Sequence, residues 1–200
     1  MIKRLVDILG ASLGLVLFSP LLLILAALIK LDSSGPVLFR QERIGRGFTP
    51  FLIYKFRTMA ADRANEGLFI TSRNDARVTR AGRWLRAMKL DELPQLLNVL
   101  IGDMSLVGPR PEVRHYVELF RSEYEQLLSI RPGMTDLASL KYRDEGDFLA
   151  QAEDPEAEYV TRILPDKIEL GSLYLQRASL LFDLSLILKT VLRLVWPSKK

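Results

Sequence analysis

Residues 8–29 are twenty-two consecutive residues without a charge. As a helix rising about 1.5 Å per residue they extend roughly 33 Å, enough for the hydrocarbon core of a bilayer. The run therefore predicts a membrane helix. A cleaved signal peptide is the competing reading, but the run is longer than a usual signal core, lacks a clear small-residue cleavage site and continues into LIKLDSSGP. Near its middle Pro20 follows Ser19. Proline removes a backbone donor and clashes with the preceding turn, so a kink or break is expected there, with Ser19 able to satisfy a freed carbonyl. Lys3 and Arg4 precede the run, and Lys30, Arg40, Arg43 and Arg46 follow it. Positive charge at both ends selects no direction for a straight span and fits a hairpin that enters and returns. Residues 1–31 are thus expected as a re-entrant helix-break-helix, with a kinked bitopic anchor as the alternative. Residues 32–200 form the domain it carries.

The stretch that carries chemistry is residues 89–103, KLDELPQLLNVLIGD. Leu93, Leu96, Leu97, Leu100 and Ile101 recur at the spacing of one buried helical face, and Gly102 supplies a stop. Pro94 is tolerated only in a first turn, which puts the helix start near Asp91 and makes Asp91 an N-cap candidate. A helix start favours an ionised carboxylate and also a phosphate. The adjacent pair Asp91 and Glu92 therefore reads as a nucleophile toward phosphorus with a neighbour, or as a plain cap beside a solvated acid.

Charge distribution narrows the partners. Residues 40–89 hold twelve Lys/Arg against four Asp/Glu, whereas residues 90–169 hold eight against seventeen, so the first half can face anions such as lipid headgroups, nucleotide phosphates or nucleic acid. The absence of Cys excludes disulfides, thiolate zinc sites and a cysteine nucleophile, and the single His115 is too little for a histidine metal cluster. Residues 36–59 suggest a β-hairpin around GRG, in which Lys55 and Arg57 share a strand face and could meet phosphates. Residues 60–78 read as a mobile loop and a candidate lid. A basic helix over residues 79–89 places Arg86 five positions before Asp91, and Arg suits bidentate phosphate binding. Pro109 and Pro111 restrict the backbone on either side of Arg110. Arg131, Pro132 and Gly133 form a further turn. Asp144 and Glu145 are a rival acidic pair in an acid-rich region, better explained as a solvated face. Leu-rich residues 178–196 suit a helix at the membrane interface or against the core.

In order, KRLVDILGASLGLVLFSP, FRQERIGRG, YKFRTM, LDELPQLLNVLIGDMSLVGPRP and RPGMT resemble the monotopic phosphoglycosyl transferases, bacterial sugar transferases that initiate glycan assembly on polyprenyl phosphate. The resemblance covers nearly the whole chain and implies that family's minimal catalytic domain, with no multi-pass bundle ahead of it. It implies an α-rich α/β membrane-associated domain with a re-entrant helix broken at Ser19 and Pro20, a small β-hairpin and amphipathic helices at the membrane interface. The location implied is the cytoplasmic face of the bacterial inner membrane. The implied chemistry is attack by Asp91 on the β-phosphate of a UDP-sugar, release of UMP, and transfer of the phosphosugar to polyprenyl phosphate. Glu92 would be a base or a positioning group for the lipid phosphate. Lys55, Arg86 and Arg110 match basic site residues that clamp phosphates, with Arg131 a further candidate. The resemblance also implies magnesium as cofactor, with Asp91 its ligand, because a diphosphate and an anionic nucleophile repel without a hard cation. The expected partners are a UDP-sugar, polyprenyl phosphate and membrane lipids, with homodimerisation left open and no nucleic acid.

After RPGMT many members read TGLAQVNGR, whereas this chain has TDLASLKYRDEG. Asp136 stands in place of a Gly, which leaves the sugar open and offers Tyr142 and Arg143 as candidates for nucleotide or sugar contact. Two rivals remain at this level: a catalytically silent membrane-anchored scaffold, and a membrane phosphatase that passes an aspartyl phosphate to water.

Overall fold

A computed structural model describes residues 2–60 and 75–195. The expected lid, residues 60–78, lies mostly outside the described residues. Helix α1 runs over Ile2–Asp32 and is long and apolar enough to cross a membrane. The break expected at Ser19 and Pro20 is not seen. Helical backbone continues through Pro20, and the Ser19 hydroxyl donates to Val16 O at 2.8 Å. Val16 is four residues before Pro20, so its carbonyl is the one that the missing proline N–H would have met. The serine does what the sequence suggested, and the helix absorbs its proline.

α1 packs one face on the rest of the chain, with Gly14 against Leu96 and with Leu15, Leu21 and Leu22 on the neighbouring clusters. Asp7 and Ala11 are buried toward the start, Leu25 and Ile29 toward the finish. On its other face Leu5, Leu9, Leu13, Val16, Leu17 and Leu23 are 58–73% exposed. At the start, Lys3 Nζ pairs with Asp183 Oδ2 at 2.5 Å, and Asp7 Oδ1 accepts from Ser105 Oγ at 2.9 Å and Leu106 N at 3.0 Å. At the finish, the Arg57 guanidinium donates to the carbonyls of Ser33 (2.7 Å) and Ser34. Arg57, a phosphate candidate by sequence, is therefore spent on the end of α1, where a cation suits the exposed carbonyls.

Strands β1 (Leu38–Ile44) and β2 (Pro50–Phe56) form the expected antiparallel hairpin, with Leu38 opposite Phe56 and Ile44 opposite Pro50. Ile53 packs with Ala11, Leu96, Val99 and Met104, and Phe56 with Leu25, Ile29 and Leu85. One strand thus touches the clusters at both ends of α1. Helix α2 (Arg80–Ala87) is capped by Thr79, whose hydroxyl accepts from Gly82 N at 3.0 Å. A Cβ on Gly82 would lie 2.1 Å from Thr58 O, so α2 crosses the exit of β2 at a spacing only glycine allows.

Helix α3 covers Gln95–Ile101 and ends at Gly102, which has φ +105° as a left-handed cap. Its buried face differs from the expected leucine stripe. Gln95, Leu96, Asn98 and Val99 are inside, whereas Leu97 and Ile101 are exposed. Asn98 earns its buried place by edge bonding: Tyr54 N donates to its Oδ1 at 2.9 Å, and its Nδ2 donates to Leu52 O at 2.7 Å.

Two short strands, β3 (Ser105–Val107) and β4 (Gly133–Thr135), pair in parallel. Between and after them, α4 (Arg114–Leu119), α5 (Arg121–Leu127), α6 (Leu137–Lys141), α7 (Glu145–Leu149), α8 (Pro155–Glu158) and α9 (Leu164–Arg177) follow. They enclose a second core that includes Val117, Leu127, Ile163 and Leu164. The last helix, α10 (Leu180–Val195), buries Asp183 and Leu186 and exposes Leu181, Leu184, Leu188, Val191 and Leu192. The result is a helix-rich α/β fold with a small antiparallel hairpin and one long apolar N-terminal helix, as the sequence predicts.

Candidate active site

Lys89 takes a left-handed conformation at φ 56°, which ends α2 and starts a 3-10 turn over Leu90–Glu92. Leu90 and Leu93 pack against the cluster of Leu25, Ile29, Phe56 and Leu85, and these apolar anchors carry Asp91 inward. Asp91 does not cap α3, because the turn intervenes and Pro94 occupies the cap position. Asp91 is only 9% exposed; its carboxylate has no hydrogen-bond partner among the described residues, and Oδ1 is fully enclosed. Leaving a buried acceptor unpaired costs about 1–3 kcal/mol and more for a charged group. That cost keeps a bare carboxylate available.

Glu92 has the opposite surroundings. Its Oε1 accepts from Lys55 Nζ at 2.8 Å and from Arg110 Nη2, and its Oε2 accepts from Arg110 Nη1 at 3.4 Å. Lys55 arrives from β2 and Arg110 from the loop after β3, so one side chain joins three parts of the fold. The Arg110 loop is held by its backbone: Gly133 N donates to Pro109 O at 2.9 Å, Arg43 Nη1 to Pro111 O at 3.3 Å, and Arg110 N to Asp136 Oδ2 at 3.2 Å. Gly108 and Gly133 touch backbone to backbone, since a Cβ on Gly133 would fall 2.0 Å from Gly108 N. From α2, Arg86 donates through Nε to Thr58 Oγ1 at 2.8 Å and adds its charge to the field at Asp91.

Electrostatics separates the acidic neighbours. Burial, then the charge of Glu92, raises the Asp91 carboxyl above its ordinary range, against the pull of Lys55, Arg86 and Lys89. Burial alone would raise Glu92 too, but the charges of Arg110 and Lys55 and their hydrogen bonds hold it well below the carboxylate range. Glu92 in turn raises Arg110, and burial lowers Lys55 even though Glu92 opposes it. Glu92 is thus the anion that organises two cations, and Asp91 is a carboxyl whose ionisation its burial and Glu92 disfavour.

The structure brings Asp91, Glu92, Lys55, Arg86 and Arg110 together. It does not bring Arg131, whose Nε donates to Gly102 O at 2.7 Å at the opposite end of α3. There it faces the helix carbonyls, as does Arg4, which donates to Val99 O at 2.6 Å and Leu100 O at 3.0 Å. Arg143 donates to the Arg193 carbonyl, Tyr142 lies against the second core, and Glu145 pairs with Lys167 at 2.6 Å. None of these side chains reaches the acidic pair through a described bond. Sequence reasoning missed Thr58, Ser139 and Glu112. Glu112 is buried and bonded to Arg43 at 3.1 Å and Tyr159 OH at 2.8 Å, and no local pattern announces partners so distant in the chain. Among the described residues no group of three or more His, Cys, Asp or Glu could hold a metal ion. The enclosed Oδ1 of Asp91 is a hard oxygen donor that fits a magnesium ion sharing its ligands with phosphates and water.

This chain is similar to proteins of known type. It is 44% identical over 193 residues to the UDP-N-acetylgalactosamine-undecaprenyl-phosphate N-acetylgalactosaminephosphotransferase of Aeromonas hydrophila, covering 95% of this chain and 43% of that protein. It is 43% identical over 192 residues to the UDP-glucose:undecaprenyl-phosphate glucose-1-phosphate transferase of Caulobacter vibrioides, covering 94% of this chain and 68% of that one. With the exopolysaccharide production protein PSS of Rhizobium leguminosarum bv. phaseoli it shares 41% identity over 198 residues, covering 95% and 93%. The chain thus spans less than half of the Aeromonas relative and about two thirds of the Caulobacter one. The family model for bacterial sugar transferases matches residues 1–197, and with the match running through every element from α1 to α10, this chain belongs to the bacterial sugar transferase family.

Proposed function

We propose that this chain transfers a sugar 1-phosphate from a UDP-sugar to polyprenyl phosphate, through a covalent phosphosugar on Asp91. The observation that carries the reading is the Asp91 carboxylate, its Oδ1 enclosed and free of hydrogen bonds, set in the field of Lys55, Arg86 and Lys89. A carboxylate that caps or pairs is a weak nucleophile, whereas one held bare against positive charge is ready to attack phosphorus. An Asp91 oxygen bonds to the β-phosphorus, the bond from that phosphorus to the bridging oxygen breaks, and UMP leaves with the oxygen and its electron pair. A phosphate oxygen of the polyprenyl acceptor then attacks the same phosphorus and frees Asp91, giving polyprenyl diphosphate sugar.

Lys55 and Arg110 keep N–H groups beyond those spent on Glu92 and would hold the donor phosphates. Glu92, kept ionised far below neutral pH, is read as the positioning group rather than the base. Magnesium held at Asp91 would supply neutralisation of the diphosphate charge during attack.

The reading places the protein on one face of a bilayer. α1 is fastened to the same body at both ends, while one apolar face along its length is exposed, and α10 exposes a second apolar face. A single unbroken α1 that sets its apolar face in the lipid and keeps both ends on the cytoplasmic side accounts for that arrangement. The test is intact-protein mass spectrometry after mixing the protein with magnesium and a panel of UDP-sugars, without acceptor. A phosphosugar adduct on wild type and none on Asp91→Asn is expected. Full turnover by Asp91→Asn would sink the mechanism.

A further inference from the structure

We infer that Asp136 is a positioning residue for the nucleotide-sugar donor, because its buried carboxylate ties the backbone of Arg110 to the first turn of α6. The inference rests on the reading of Arg110 as a ligand of donor phosphate. Asp136 is 4% exposed and stands between β4 and α6. Its Oδ1 accepts from Ser139 N at 2.6 Å, which caps α6, and its Oδ2 accepts from Arg110 N at 3.2 Å. The Arg110 N–H is the single backbone donor that Pro109, Arg110 and Pro111 possess, since proline has none. Ser139, in the same turn, lies 3.5 Å through Oγ from Arg110 Nη1. One turn of α6 therefore addresses both the backbone and the guanidinium of Arg110.

A cap alone does not require this side chain. Asn and Ser cap helices about as well as Asp, using one acceptor oxygen. Here both carboxylate oxygens act as acceptors for backbone N–H groups on separate segments, and no neutral side chain of the same shape offers two acceptors. The second acceptor is what Asp adds, and it is aimed at Arg110. With a proline on each side, Arg110 has little local freedom, so a shift of its backbone is carried to its guanidinium. Misplacing a phosphate ligand by about 1 Å can cost up to ~100-fold in rate or binding.

Asp136→Asn separates capping from positioning. Its carbonyl oxygen can cap α6 while its NH2 faces the Arg110 N–H, so the tie to α6 survives and the tie to Arg110 is lost. Asp136→Ser caps with a shorter side chain and gives a second variant with the same split. The expected result is a thermal midpoint lowered by about 3 °C, because the α6 cap is kept while the Arg110 N–H loses its acceptor. The KM for the UDP-sugar should rise roughly tenfold, as for one lost charge-assisted hydrogen bond, and the KM for polyprenyl phosphate should stay unchanged. On an Arg110→Ala background, which itself raises the donor KM, Asp136→Asn should add nothing further. Wild-type donor KM in both Asp136 variants, with Arg110→Ala still impaired, overturns the inference and leaves the assignment of Arg110 standing. An equal rise on the Arg110→Ala background overturns it as well, because Asp136 would then act by another route. An unchanged donor KM in Arg110→Ala overturns the reading of Arg110, and the inference with it.

Discussion

Ionising Asp91 places a charge in a site where its enclosed Oδ1 meets no hydrogen bond, whereas ionised Glu92 receives Lys55 and Arg110. The two carboxylates therefore affect stability with opposite sign. The Asp91 pKa is raised in the folded state, so its favourable contribution exists below the unfolded value and is lost as pH rises through the folded one. Glu92 is depressed, so its contribution exists above the unfolded value and is lost as pH falls through the folded one. In magnesium-free protein at pH 7 to 8, Asp91→Asn is expected to raise the thermal midpoint while abolishing turnover. A gain of ~1 kcal/mol corresponds to about 3 °C for a chain of this size. That gain should vanish as pH falls below the ordinary carboxylate range. Glu92→Gln should lower stability by ~3 kcal/mol at neutral pH, because it leaves two buried cations without an anion. Scanning calorimetry across pH checks both, and a destabilised Asp91→Asn would contradict the bare-carboxylate description.

Around these residues, the elements whose limits depend on near neighbours in the chain were readable. The hairpin, the Thr79-capped α2 and the stop at Gly102 follow from turn glycines, a capping hydroxyl and a left-handed end. The start of α3 was misjudged. A left-handed Lys89 and a 3-10 turn separate Asp91 from the helix, and that choice is made by Leu90 and Leu93 packing on α1, β2 and α2. The buried face of α3 was misread for a related reason, since hydrophobic periodicity marks an apolar side and cannot tell protein core from an apolar outer surface. The Arg110 loop depends on the contact of Gly108 with Gly133, where a Cβ would lie 2.0 Å from Gly108 N. Gly133→Ala should cost about 3 kcal/mol, the upper part of the usual overpacking range, and impair turnover through Arg110. Urea unfolding and a rate assay measure the two effects, and a neutral alanine would argue that the loop is held mainly by Asp136 and Arg43.

For the whole molecule, the exposed face of α1 and the exposed face of α10 form apolar surface that water would not favour, while Lys3, Arg4 and Asp7 at one end of α1 and Arg57 at the other fix that helix to one body. The natural absence of cysteine permits a direct topology test. Single cysteines at Ile2 and at exposed Glu42 should react with a membrane-impermeant maleimide from the same side of sealed vesicles, and labelling from opposite sides would establish a bitopic helix. Much of this arrangement was set by sequence alone: an apolar run with charges at both ends, a serine placed to meet the carbonyl freed by Pro20, a hairpin, and a basic half facing an acidic pair. Those features are properties of adjacent or periodically spaced residues. Only the tertiary structure decided that Asp91 is bare rather than a cap, that Glu92 gathers Lys55 from 37 residues away and Arg110 from 18, and that Arg57 and Arg131 serve helix ends. The physical reason is that burial and hydrogen-bond competition among distant segments determine which cation meets which oxygen, and neither is encoded in local spacing.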